Sequence, residues 1–145
     1  KIYLERRKNG PWMNFFHFMV DLDGGPCVKK RVKGCGAGNE YVAVTPEGDI
    51  YPCHQFVGRP GYKMGSVLTG EFDTEMQKRF AANTVLSKEK CGTCWARFFC
   101  GGGCAANAHH TTGSITGVYD LGCQLHKKRI ECAIMLKVAE MCEDL

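Results

Sequence analysis

The chain has 145 residues and a mass of 16.1 kDa, room for one domain and too little for two ordinary ones. Nineteen Lys and Arg against fifteen Asp and Glu leave a net charge of +4, which argues for neither a nucleic-acid nor a membrane-surface partner. At 44% apolar and 23% charged residues, wholesale disorder is excluded, and no run nears the roughly 18 apolar residues of a membrane span.

In chain order, residues 1–9 read as the end of a helix, stopped by Asn9-Gly10-Pro11. Residues 14–22 are nearly continuous in apolar and aromatic side chains, the pattern of a strand covered on both faces in a parallel sheet. No other segment resembles a parallel neighbour, so this strand is expected to belong to a sheet outside the chain. Strands at 41–45 and 50–51 flank Pro46-Glu47-Gly48-Asp49, where Pro presets φ and Gly takes the left-handed conformation that closes a hairpin. Residues 58–70 read as glycine-rich loop. Phe72, Met76 and Phe80 at four-residue steps predict a helix over 71–83. Residues 91–123 carry five cysteines among glycines and read as metal-organised loop. Ile130, Ile134, Val138 and Met141 form one stripe of a C-terminal helix over 124–142. The expected fold class is α+β: a β-hairpin, cluster-organised loops and a C-terminal helix, with the 14–22 strand left over from a neighbouring sheet.

Cysteine is the departure from average. Ten cysteines accompany 18 glycines, and no basic start leads into a secretory core. Thiols at this density in a reducing compartment hold metal more often than they pair, which predicts a cytoplasmic location. A disulfide framework, permitted by the even count, is the lesser alternative. Between 91 and 104 lie Cys91, Cys94, Cys100 and Cys104; upstream are Cys35 and Cys53, with Gly48 before the latter, and downstream is Cys123. The ordered pattern is Cys-x12-Gly-x4-Cys, then Cys-x2-Cys-x5-Cys-x3-Cys, then Cys. Thiolate-only ligation fits zinc or iron–sulfur and argues against hard cations. Zinc closes on four thiolates and leaves Cys35, Cys53 and Cys123 unused, whereas two cubane clusters use the whole set. Gly36, Gly38 and Gly101 to Gly103 let backbone N–H groups approach cluster sulfurs. Iron–sulfur is favoured, with a zinc-bound structural or interaction module lacking redox activity as the alternative.

This cysteine pattern resembles the SPASM domain, the auxiliary-cluster module of many radical S-adenosylmethionine (SAM) enzymes that modify peptides. Asn14-Phe15-Phe16-His17-Phe18, the stretch from Asp21 to Cys27 and Gly34-Cys35-Gly36-Ala37-Gly38 resemble the maturases of short cysteine-rich SCIFF peptides, as does the stretch from Thr45 to Gly58. The resemblance runs from about residue 14 to 123. It implies a first auxiliary 4Fe–4S cluster on Cys35, Cys53 and Cys104 and a second on Cys91, Cys94, Cys100 and Cys123. The first is one thiolate short, to be completed either by Cys27 or by a cysteine of the substrate peptide. The Cys-x3-Cys-x2-Cys loop that holds the SAM-cleaving cluster in such enzymes does not occur here. Residues 1–26 are therefore expected to be a remnant of a radical SAM barrel and residues 27–145 the SPASM-type domain. SAM and a third 4Fe–4S cluster are expected only in a longer chain, with no SAM-binding residue in this one. The implied activity of that longer chain is a radical SAM peptide maturase forming sulfur-to-carbon thioether links. The implied partners are a cysteine-rich ribosomal precursor peptide and an electron donor, with no nucleic acid and no membrane.

Other residues receive plainer readings. Cys132 and Cys142 lie ten apart on a helix, about 280° around, and read as free thiols. His54, next to a candidate ligand, reads as a packed or solvated histidine with a ligand-supporting or substrate contact as the alternative, and His109 and His110, in a polar loop, read as no metal ligands since thiolates already suffice. Trp95, Phe98 and Phe99 are expected to wall a cluster from water. The run Lys29, Lys30, Arg31 and Lys33 reads as a solvated loop able to meet a peptide carboxylate, and Tyr41 and Tyr51 read as packing.

Overall fold

The structure is a computed structural model that describes residues 2–11 and 14–143, without the side chain of residue 143. Helix α1 (Ile2–Asn9) ends where Gly10 and Pro11 break it, as expected. Residues 14–22 form no strand: one 3-10 turn (Phe16–Phe18) occupies them, and Phe16 and Met19 are exposed. Strand N–H and C=O groups need neighbours, and no described segment offers any, so the barrel-strand expectation is not met within this chain. The segment instead lies on the C-terminal helix α7 (Asp120–Glu143). Arg129 Nε donates to the His17 carbonyl at 2.6 Å, Lys137 Nζ meets Asp23 at 2.8 Å, and Arg7 pairs with Glu140. The basic run is not a loop but helix α2 (Val28–Lys33), with no buried residue.

The predicted hairpin is present. Strand β1 (Ala43–Val44) pairs antiparallel with β2 (Asp49–Tyr51), Val44 opposite Ile50, and Gly48 has φ +85° at the turn. Two further strands, β3 (Gly65–Ser66) and β4 (Glu71–Phe72), extend it to a four-stranded antiparallel meander, ordered β1-β2-β3-β4. Residues 58–70 are thus not all loop. Glycine is depleted in strands, which hid β3. A Cβ at Gly65 would come within 1.9 Å of the Glu71 carbonyl oxygen, so only glycine permits this close pairing.

Helix α3 (Thr74–Ala82) begins after Asp73, whose carboxylate caps it by accepting from the Met76 N–H at 2.8 Å. Its Met76 and Phe80 face a core with Ile50, Phe56, Tyr62 and Met64. Phe56 is fully buried, stacked on Tyr62 at 4.4 Å and met edge-on by Phe80 at 5.5 Å. Residues 91–123 are more helical than expected. Short helices α4 (Glu89–Gly92), α5 (Arg97–Cys100) and α6 (Ala105–Thr112) precede α7, which begins early enough to include Cys123. The buried face of α7 is Ile130, Ala133 and Leu136, whereas Ile134, Val138 and Met141 of the predicted stripe are exposed. Mixed helix with one small antiparallel sheet agrees with the α+β class.

Candidate metal centre

Cys91, Cys94, Cys100 and Cys123 line one cavity of about 110 Å³. Local backbone bonds set each sulfur's place. The Cys91 N–H donates to the Lys88 carbonyl at 2.9 Å, and the Cys94 N–H to the Cys91 carbonyl at 3.1 Å, which folds Cys-x2-Cys into one tight turn. Cys100 closes α5 through the Ala96 carbonyl at 2.9 Å, and Cys123 sits in the first turn of α7, bonded to Tyr119 at 3.0 Å. Burial pushes the thiols of Cys91 and Cys123 above the usual range, and Lys88 draws the first of them back. Thiols held neutral this way must release protons when they take up metal.

A second group surrounds Tyr41. Its hydroxyl donates to the Cys35 sulfur at 3.9 Å, and burial, then the charge of Cys35, push it up to about 12. Cys53 and Cys104 act on the same hydroxyl, so three cysteines separated by up to 69 residues share one electrostatic neighbourhood. Cys53 is 5% exposed, and burial raises its thiol, with further upward pressure from Cys104 and Cys35. The backbone explains how the two upstream cysteines meet. The Gly38 N–H is shared between the carbonyls of Tyr41 at 2.9 Å and Pro52 at 2.8 Å, which ties the Cys35 loop to the end of β2 just before Cys53.

Cys100 and Cys104 bridge the two groups, because only Gly101, Gly102 and Gly103 separate them. All three glycines are left-handed, with φ of +73°, +84° and +75°, a run that other residues do not sustain. A neighbouring cavity of about 200 Å³ is lined by Cys104 from one group and by Cys100 and Cys123 from the other. Among the described residues, no three His, Cys, Asp or Glu side chains form a ready single-ion site. Four thiols instead line one cavity, together with Asp120 and His126, and a thiol-rich donor set arranged around space fits a cluster of several irons.

Other candidates fall elsewhere. Cys27 is exposed at the start of α2 and lines a separate open cavity of about 220 Å³ with Lys29, Lys30, Lys33 and Glu40. Cys132 is half-buried and Cys142 exposed on α7. His109 packs against Tyr62 at 4.8 Å and Phe56 at 5.8 Å, a core role on α6 rather than a loop position. The aromatic wall is not where the sequence put it. Trp95 is 54% exposed, and the cavity of the second group is lined by Ala96, Arg97, Val118 and His126 rather than by Trp95, Phe98 or Phe99. The Arg97 guanidinium lies over the Phe98 ring at 4.9 Å, which keeps both half-buried.

Two residues were missed. Tyr41 reads as packing in the sequence yet contacts Cys35. Lys88 is 4% exposed, with its ammonium donating to the carbonyls of Gly102 at 3.0 Å and Gly117 at 3.4 Å. Its neighbours Ser87, Glu89 and Lys90 are polar, so nothing in the local pattern distinguishes it from a solvated charge.

Comparison with known proteins points to iron–sulfur cluster binding. The chain is 27% identical over 99 residues to an uncharacterized protein of Archaeoglobus fulgidus, an alignment covering 67% of this chain. It spans 24% of that protein's length. Residues 35–95 match the family model of SPASM, an iron-sulfur cluster-binding domain, so the match takes in Cys35, Cys53, Cys91 and Cys94. The match supports a SPASM-type iron–sulfur cluster-binding domain in this chain.

Proposed function

We propose that this chain is the auxiliary-cluster portion of a radical SAM enzyme that forms sulfur-to-carbon thioether links in a cysteine-rich peptide. The observation that carries the reading is the sorting of seven cysteines into two neighbourhoods, Cys35, Cys53 and Cys104 around Tyr41 and Cys91, Cys94, Cys100 and Cys123 around one cavity. On this reading the two groups hold two 4Fe–4S clusters, which when bound supply one-electron acceptance. SAM and a third such cluster would belong to the barrel of a longer chain and would supply hydrogen-atom abstraction from a substrate residue.

The roles of this chain's own residues follow. Cys35, Cys53 and Cys104 leave one position of a four-thiolate set to a substrate cysteine. Support for a substrate thiol over Cys27 comes from Cys27's place in a separate, solvent-open cavity. Tyr41 is 43% exposed beside Cys35, so its hydroxyl is available to orient a thiol arriving there. Lys29, Lys30 and Lys33 around Cys27 suit the carboxylates of an incoming peptide. A substrate thiol held beside Cys35 and Tyr41 would be placed to form the new S–C bond, and the bound clusters would supply one-electron acceptance.

Iron, zinc and acid-labile sulfide content of the chain made and purified without oxygen tests the cofactor. About eight irons and eight sulfides per chain, the count of two cubanes, is the expected result. One or two zincs without sulfide would make the chain a zinc-organised interaction module and end this reading.

A further inference from the structure

We infer that Lys88 is a buried cation shared by the two cysteine groups, which raises the reduction potentials of the clusters they hold. The inference rests on the iron–sulfur reading above. Its starting point is a cost: an ammonium taken out of water is unfavourable unless negative charge or strong acceptors replace its hydration. Lys88 is 4% exposed, and its two hydrogen bonds go to neutral carbonyls, Gly102 and Gly117. Burial favours its neutral form, and the opposing pull comes from Cys91, Cys100, Cys104 and Cys123. Three of these belong to the second cysteine group and Cys104 to the first.

The position of Lys88 makes that sharing geometric as well as electrostatic. It precedes α4, which carries Cys91, and lines a small cavity that also contains Cys35 and Gly103. Gly102, one of its acceptors, lies midway between Cys100 and Cys104. Gly117, the other, lines the cavity shared by Cys104 and Cys123. The ammonium therefore stands where three ligand-bearing segments meet.

A cluster that accepts one electron becomes more negative by one charge, so a nearby cation stabilises its reduced form more than its oxidised form. At Lys88, 4% exposed, screening by salt and water is weaker than at the surface. The surface lysines differ: Lys78, for example, has a side chain 72% exposed and paired with Glu75, and water screens it.

The test compares Lys88→Gln, Lys88→Arg and Lys78→Gln with wild type in anaerobically prepared chain. Electrons from dithionite are titrated in through mediators, and cluster reduction is read by visible absorbance and electron paramagnetic resonance. Gln keeps N–H donors for the carbonyls but not the charge; Arg keeps both. The expected result for Lys88→Gln is a loss of at least tenfold in the reduction equilibrium of both clusters, about 59 mV for one electron, at unchanged iron and sulfide. Lys88→Arg and Lys78→Gln are expected to match wild type. Wild-type potentials in Lys88→Gln would overturn the inference and reduce Lys88 to a structural tie. If the Gln variant fails to load, Lys88→Arg decides: loading at native potentials supports the shared charge, and shifted potentials or failure to load overturn it. Zinc without sulfide in wild type would instead end the iron–sulfur reading, and the inference with it.

Discussion

At the scale of single residues, the spacing of the cysteines depends on what lies between them. Cys100 lines the four-cysteine cavity and Cys104 acts on Tyr41 although only three residues part them, and Gly101, Gly102 and Gly103 between them all turn left-handed. Gly101 is the most constrained of the three. A Cβ there would sit 3.2 Å from the Arg31 carbonyl oxygen, and its φ of +73° disfavours any L side chain. Gly101→Ala is therefore expected to destabilise the chain by about 1–2 kcal/mol from the backbone alone, with reduced iron retention because both flanking cysteines shift. Denaturant unfolding of the loaded variant checks the first part and iron content the second. Native stability with full iron would show that the run is a convenience of sequence rather than a requirement of the site.

At the scale of elements, legibility followed the strength of the local signal. The hairpin was readable because Pro46 and Gly48 define its turn without help from distant residues, and α3 because Met76 and Phe80 repeat at helical spacing above the Asp73 cap. The strand predicted over 14–22 failed for a physical reason: an apolar run specifies burial, and whether burial comes as a strand depends on neighbours. Here the run meets α7, with Tyr3 edge-on to Phe18 at 5.5 Å. The C-terminal helix was right in kind and wrong in face, since apolar residues surround α7 and the core selects only Ile130, Ala133 and Leu136. Cysteine spacing pointed to metal, the family resemblance supplied the grouping, and the fold sets Cys91, Cys94, Cys100 and Cys123 around one cavity. Lys88 was invisible for the opposite reason, as only tertiary packing distinguishes it from its charged neighbours. The contrast between α4 and the far end of α7 carries a prediction. Cys94→Ala, in the turn after α4 and on the four-cysteine cavity, is expected to remove one cluster, about four irons, together with most of the folded yield. Cys142→Ala, exposed at the end of α7, is expected to leave iron unchanged. Equal losses from both variants would overturn the assignment of the second group.

At the scale of the whole molecule, two kinds of cohesion meet. Residues 50–80 are held by the meander and by the stacked aromatics Phe56, Tyr62 and Phe80, an apolar core of ordinary kind. Residues 88–104 have little such support: α4 and α5 are four residues each, far below the roughly 12–15 at which an isolated helix is even marginal in water. Their side chains are largely cysteine, glycine and polar residues, so on the iron–sulfur reading much of the free energy of ordering them comes from metal ligation. Removing the metal should therefore divide the molecule. After chelation under reducing conditions, the amides of Cys94, Arg97, Cys100 and Gly101, which close the short turns and helices, are expected to exchange with solvent at nearly unprotected rates. Those of Met64, bonded to the Ile50 carbonyl at 2.7 Å, and Phe56, bonded to Cys53 at 3.0 Å, are expected to stay protected. Hydrogen exchange followed by mass spectrometry on loaded and stripped chain makes the comparison. Collapse of protection in both regions would mean that the aromatic core also depends on the clusters. Protection retained in both would mean that the cysteine-bearing segments fold without metal, and the thiols would then be prearranged rather than organised by what they bind.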